Sequence, residues 1–201
     1  LSPEGRPAVE DHLRSRWADI DVDIAVQEIP TGMGDAVEKG LAFVRTPLVC
    51  VVWGDQAALR DESVEACLRL QQGPLQPEMT VPTAMRENPY IHFRRDAEGR
   101  LSALLQAREG DSMPETGESD TGFFCFRTEA IRSLLAEFRQ RPEEAGSLTR
   151  EFNLLPVIPF AAQRGSLVLT PHVITVEETV GINTAEDARQ LEQHLRSHSC
   201  L

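Results

Sequence analysis

The run PLVCVVWGD, Pro47 to Asp55, is apolar from Leu48 to Trp53 without alternation and ends in Gly-Asp. Such a β-branched run suits a parallel strand covered on both faces, and strands of that kind lie in sheets layered between helices. GFFCFR, Gly122 to Arg127, is a second buried strand of the same type. These two segments exclude an all-helical fold.

The rest of the chain alternates around them. A helix reaching about Ala18 precedes DVDIAVQ, Asp21 to Gln27, which reads as a strand, and a helix from about Gly34 to Val44 follows. Asp61 is placed to cap a helix running to about Gln72. TVPTAM and YIHFRR are short strands, and DAEGR, Asp96 to Arg100, is a hairpin turn before LSALLQA. The acidic stretch Glu109 to Asp120 reads as an exposed loop, a lid or a disordered segment. Thr128 to Arg139 is helical, and a polar Pro-Glu-Glu-Ala-Gly-Ser loop leads to FNLLPVIPFAAQRG, a helix interrupted or bent by its prolines. LVLTPHVITV supplies two short strands. The last helix opens at Thr184, with Asp187 at its third position as the reciprocal cap. This order predicts an α/β sandwich with a mixed, mainly parallel sheet in one domain spanning residues 1–201.

Charge and cysteine usage narrow the function. A net charge of −12 argues against a nucleic-acid surface, although backbone donors or a metal ion can still hold a nucleotide. Cys50, Cys67, Cys125 and Cys200 form no C-x-x-C pair, and Cys50 and Cys125 sit in apolar runs as small buried thiols would. A reducing cytoplasm and no metal-thiolate site are expected. His194 and His198 lie four apart on the last helix, a metal spacing that a solvated helix end produces equally well. No apolar run of about eighteen residues and no basic-plus-apolar leader occurs, so neither a membrane span nor a signal peptide is indicated.

In VQEIPTGMGDAV, Val26 to Val37, a Pro-Thr-Gly-x-Gly turn feeds a helix. Free N–H groups at a helix start favour ligand acceptors, but neither standard phosphate fingerprint is met and the turn could equally be a tight connection. Ligands of open α/β sheets bind beyond the carboxyl ends of strands. The glycine turn, Trp53-Gly54-Asp55 and Gly181-Ile182-Asn183-Thr184 all fall at strand ends or helix starts.

Four motifs therefore stand in order: Gln27 followed by Gly32-x-Gly34-x-Ala36, Trp53-Gly54-Asp55, Glu118-Ser119-Asp120-Thr121-Gly122, and Gly181-Ile182-Asn183-Thr184. Together they resemble the sugar-1-phosphate nucleotidyltransferases, most closely the N-acetylglucosamine-1-phosphate uridylyltransferase domain, across about residues 20 to 195. The resemblance implies a Rossmann-like three-layer, GT-A-like sandwich. It also implies a Mg2+-dependent transfer of a nucleoside monophosphate from an NTP, UTP as the first choice, to a sugar 1-phosphate in the cytoplasm.

By the family's pattern Gln27, Gly32, Met33, Trp53 and Gly54 would bind the nucleotide, Asp55 and Asn183 would hold magnesium as the catalytic pair, and the sugar phosphate would lie at Gln106, Asp120, Thr121 and Gly122. Met33, Gln106 and Asp120 replace a threonine, a glutamate and an asparagine of the family. No stretch matches the family's opening strand and its glycine-rich loop with an arginine and a lysine. By resemblance the chain is N-terminally incomplete, lacks its first strands and is inactive alone. Two other readings remain: a non-catalytic nucleotide- or partner-binding module, and a glycosyltransferase, whose usual Asp-x-Asp is absent at Gly54-Asp55-Gln56.

Overall fold

The computed structural model describes residues 1–141, 146 and 148–198 of the chain. The expected Pro-Glu-Glu-Ala-Gly-Ser loop lies almost entirely outside the described residues, as does Cys200. After helix α1 (Arg6–Arg16) and helix α2 (Met33–Leu41) comes a four-stranded sheet in the order β1 (Leu48–Val52), β7 (Phe123–Arg127), β2 (Met79–Thr80) and β8 (Val168–Leu169). β7 runs antiparallel to both β1 and β2, and β2 runs parallel to β8, so three strands share one direction and β7 alone is reversed. Two antiparallel ribbons extend it, β3 (Thr83–Glu87) with β6 (Thr116–Asp120) and β4 (Ile91–Arg95) with β5 (Leu101–Gln106).

β7 explains the three layers. Phe124 and Phe126 point to the core with helices α4 (Thr128–Arg139) and α5 (Val157–Gln163), while Phe123 and Cys125 point to the opposite side with Cys67 of helix α3 (Asp61–Gln72). A strand with apolar residues at both parities must be covered on both faces. Each of the two fully buried phenylalanines, Phe124 and Phe126, contributes roughly 2 kcal/mol by leaving water.

β1 differs from its expectation. Its hydrogen-bonded neighbour is β7, antiparallel, and its outward residues Cys50 and Val52 are exposed. Apolarity marked the strand but could not fix its neighbour's direction. Cys50 is thus not a buried thiol: it faces Cys125 across the strand pair with 3.5 Å between sulfurs. That contact lowers the Cys50 thiol to about 7, and partial burial opposes the shift.

Other expectations also change. Asp21 to Gln27 is irregular rather than a strand: among the described residues its only backbone partner is Leu1, which donates to Ala25 O and accepts from Gln27 N, both at 2.8 Å. Of the acidic stretch only 110–115 is loop, since Glu109 ends a short 3-10 turn and is buried, accepting from Leu148 N at 2.8 Å and Thr149 Oγ1 at 2.6 Å. Thr116–Asp120 is strand β6, with Gly117, Glu118 and Ser119 buried. Its polar residues are buried with partners: Arg95 grips Glu118 through Nε and Nη2 at 2.7 and 2.6 Å, and the Thr83 hydroxyl donates to it at 2.7 Å. Only Val168–Leu169 of LVLTPHVITV is a strand. The prolines do not bend α5, which starts after Pro156 and carries Pro159 in its first turn, where no N–H is needed.

The start of α3 positions the site. Arg60, not Asp61, is its N-cap residue, and the cap is supplied from far along the chain by Glu178. The Glu178 carboxylate accepts from Arg60 N (3.0 Å), Arg60 Nη2 (2.7 Å), Ser63 Oγ (3.1 Å) and Thr175 N (3.0 Å). Burial alone would raise its pKa, but these donors outweigh burial and hold it at about 2. Glu178 thereby fixes the segment that leads to Gly181 and Asn183. The last helix, α6 (Ala185–His198), begins as expected: Thr184 Oγ1 accepts from Asp187 N at 3.1 Å, and Asp187 Oδ2 accepts from Thr184 N at 2.7 Å.

The pKa of Glu178 is depressed on folding, so its stabilisation is complete above the ordinary value of 4.5 and is lost as pH falls toward about 2. Glu178→Gln should destabilise the protein by about 2 kcal/mol at neutral pH, from the loss of charge-assisted hydrogen bonds, and flatten the stability profile between those two pH values. Urea unfolding across a pH series would show it, and a variant with wild-type stability at pH 7 would refute it.

Candidate active site

A cavity of about 500 Å3 opens beyond the carboxyl end of β1, walled by the β6–β7 turn, the two ribbons and the Gly181–Asn183 segment. Of the sequence-predicted residues, Met33, Trp53, Asp55, Gln106, Asp120, Thr121, Gly122 and Asn183 line it. Gln27, Gly32 and Gly54 do not. The acidic and amide members of the expected metal pair meet at Gly181. Asp55 Oδ2 and Asn183 Nδ2 lie 2.6 and 3.6 Å from where a Cβ on Gly181 would stand. Backbone contacts hold them there: Ile182 N donates to Asp55 O at 2.9 Å, and Gln56 and Gly181 form an antiparallel bridge.

Asp120 is tied to the aromatic residue that precedes this pair. Its Oδ2 accepts from Trp53 Nε1 at 3.3 Å and from Gly122 N at 3.1 Å. Burial dominates and pushes the Asp120 pKa up, although both donors oppose it. Trp53 also packs on Phe124 with 4.9 Å between ring centroids, and its backbone N–H donates to Gly122 O at 2.9 Å. Trp53 therefore braces the β6–β7 turn from β1.

The glycine turn is braced from within. Gln27 Nε2 donates to Gly32 O at 3.0 Å and to Asp35 Oδ2 at 2.9 Å. Asp35 also binds Lys39 at 2.9 Å and Arg139 at 3.0 Å. Burial disfavours its charge, yet these partners hold its pKa well below the usual carboxylate range. Among the described residues the Gln27 amide oxygen and the Gly32 N–H carry no hydrogen bond.

No family model matches the chain. Bifunctional protein GlmU of Carboxydothermus hydrogenoformans is 29% identical over 180 residues, covering 87% of this chain and 37% of that protein. GlmU of Francisella tularensis subsp. novicida is 24% identical over 200 residues, covering 96% of this chain and 42% of that protein. The chain thus spans well under half the length of these curated relatives. Among solved structures, HddC from Yersinia pseudotuberculosis superposes with a TM-score of 0.64 at 12% identity over 97% of this chain and 76% of that one, and is also known complexed with GMP-PN. The 4-diphosphocytidyl-2C-methyl-D-erythritol synthase of Anaerococcus prevotii gives 0.62 at 11% identity over 97% of this chain and 78% of that one. These relatives agree with the resemblance to the sugar-1-phosphate nucleotidyltransferases read from the motifs. The chain's three-layer α/β fold is that of the structural neighbours.

The cavity also holds residues that motif reading passed over. Gln56, Arg86, Tyr90, Arg108, Asn153 and Thr179 all line it. Arg86 lies in a short strand with no motif around it, and its partner Thr179 is distant in sequence, so no local spacing could reveal it. Gln56 directly follows Asp55, which was a usable signal. The side chains of His194 and His198 lie outside the described residues. No cluster of three or more His, Cys, Asp or Glu occurs among the described residues, and no helix there is long and apolar enough to cross a membrane.

Gly32 and Gly54 answer to different constraints. Gly32 has φ +111°, and a Cβ there would lie 2.4 Å from Phe152 O, whereas nothing lies within 4 Å of a Cβ on Gly54. Gly32→Ala should cost about 3 kcal/mol from strain and overpacking, and Gly54→Ala should stay within about 0.5 kcal/mol. Chemical denaturation of the two variants would test this, and equal stabilities would remove the packing role of Gly32.

Proposed function

We propose that this protein transfers a nucleoside monophosphate from an NTP to a sugar 1-phosphate and releases pyrophosphate. The observation that carries the reading is the pairing of Asp55 and Asn183 beside Gly181 at the rim of the cavity. One carboxylate and one amide oxygen fit Mg2+, which takes oxygen ligands and keeps waters and phosphate oxygens for its remaining positions; the Asn183 atom nearest Gly181 is Nδ2, so the amide would turn to present its oxygen. The Asp55 carboxylate has no protein partner among the described residues, so it is available for such a ligand. Bound there, magnesium would neutralise charge on the phosphates.

The chain's own residues supply position. A phosphate oxygen of the acceptor attacks the α-phosphorus in line, the new P–O bond forms, and the bond to the β-phosphate breaks as pyrophosphate departs. No protein nucleophile is required. At the glycine turn, the Gln27 oxygen accepts and the Gly32 N–H donates, which complements the N–H and C=O edge of uracil and equally that of guanine. Cytosine and adenine present the reverse polarity. UTP is therefore the first choice and GTP the second, and Met33 at the cavity edge lies against the nucleoside.

Pyrophosphate release should be measured with the protein as its source produces it, using UTP, GTP, CTP and ATP with hexose 1-phosphates and Mg2+. The oxo-bases should be preferred, and Asp55→Asn should lower kcat by about a hundredfold or more with the fold intact by circular dichroism. Release unaffected by Asp55→Asn would remove Asp55 from the site, and preference for CTP or ATP would overturn the base assignment.

A further inference from the structure

The face of the β1–β7 pair turned to α3 carries two thiols that the cavity does not use. Cys50 and Cys125 stand directly opposite each other, with 3.5 Å between their sulfurs. Their place in the ladder follows from its ends: Thr128 N donates to Pro47 O and Trp53 N to Gly122 O, so odd-numbered β1 positions form the hydrogen-bonded pairs. Cys50 therefore falls on a non-hydrogen-bonded pair, where opposite Cα atoms approach to about 4.5 Å and side chains come closest. That separation lies inside the range a disulfide spans, about 4.4–6.8 Å.

The thiols differ in access and in charge. Cys125 is buried beside Phe123 and Cys67, whereas Cys50 is exposed on β1, the end strand of its sheet among the described residues. Cys125 S–H donates to the Cys50 sulfur and holds that thiol at about 7. The same contact and burial push Cys125 up, and burial pushes Cys67 up to about 12. Since the thiolate is the nucleophile, Cys50 is the described cysteine that meets solvent in reactive form.

We propose that Cys50 is an oxidation site for hydroperoxides and that Cys125 resolves the product into a cross-strand disulfide. The Cys50 thiolate attacks the distal peroxide oxygen, the O–O bond breaks, and the alkoxide or hydroxide that leaves takes a proton from water, so that Cys50 becomes a sulfenic acid. The Cys125 sulfur then attacks the Cys50 sulfur, the S–O bond breaks, and the departing hydroxide takes the Cys125 proton as water. The two thiols lose the two electrons that the peroxide gains. A dithiol reverses the bond by exchange at exposed Cys50, as redox-sensing disulfides of reducing compartments require. β1 leads into Trp53 and β7 follows Gly122, so the bridge ties together the two strands that carry the cavity rim. None of this depends on the reaction assigned to the cavity.

The test uses the protein as its source produces it, carrying Cys200→Ser to remove the thiol outside the described residues. Hydrogen peroxide in small excess should give a product lighter by two hydrogens, a linked Cys50–Cys125 peptide in its digest, and recovery of both thiols with dithiothreitol. Cys50→Ser should slow thiol loss about tenfold or more, and Cys67→Ser should behave as the parent. Cys125→Ala should stop at a Cys50 sulfenic acid that dimedone traps, its fold checked by circular dichroism. Dimedone added with peroxide to the parent reads the same intermediate without that variant: it should label Cys50 and lower the disulfide yield. Treated protein that keeps both thiols, first oxidation at Cys67 or Cys125, a disulfide through Cys67, a Cys50–Cys50 dimer, or a Cys50 sulfinic acid without a bridge would each overturn the proposal.

Discussion

The bond from Ile182 N to Asp55 O is the constraint on which the site depends. It joins the end of β1 to a segment far along the chain, and with the Gln56–Gly181 bridge it sets Asp55 opposite Asn183. A Cβ on Gly181 would stand 2.6 Å from Asp55 Oδ2, so a larger residue there would push the carboxylate aside. The second half of the pair would drift without a further anchor, because residues 170–184 contain almost no regular structure. Glu178 is that anchor. By capping α3 it spends one buried charge on both a helix start and the placement of Thr179 and Asn183.

A comparable economy governs the glycine turn. Phe152 N donates to Thr31 O and Phe152 O accepts from Gly34 N, both at 2.8 Å, so the backbones touch over Gly32 and Gly34. Asp35 gathers Gln27, Lys39 and Arg139, and the Arg139 guanidinium stacks over the Phe152 ring at 4.1 Å. The glycines are thus explained by packing against Phe152. What remains for a ligand is the Gln27 oxygen and the Gly32 N–H, a narrower role than the motif implied but one with a defined polarity. The turn's shape is carried by protein contacts and does not wait for a nucleotide.

How much of this was legible in the sequence depended on whether a signal was local. The α4 limits Thr128 and Arg139, the hairpin turn at Asp96–Arg100 and the Thr184–Asp187 cap were readable because each is set by residues within a few positions. β6 was not, because Glu118, Ser119 and Asp120 look like loop residues until Arg95, Thr83 and Trp53 are brought to them. The cap of α3 was hidden for the same reason: Asp61 is the plausible local residue, and Glu178 is the actual one. Among the site residues, Asp55 and Asn183 stood in motifs, whereas Arg86 and Thr179 are joined only by the fold.

The departures from the family motifs now acquire a physical reading. Asp120, in the place of an asparagine, accepts from Trp53 and Gly122, a task either residue's oxygen could perform. What the carboxyl adds is charge, and burial resists that charge. Arg86 works against burial, since its positive charge favours the ionised form and offsets part of the burial cost. The cavity thus sets a carboxylate whose charge burial disfavours within the field of an arginine that favours it.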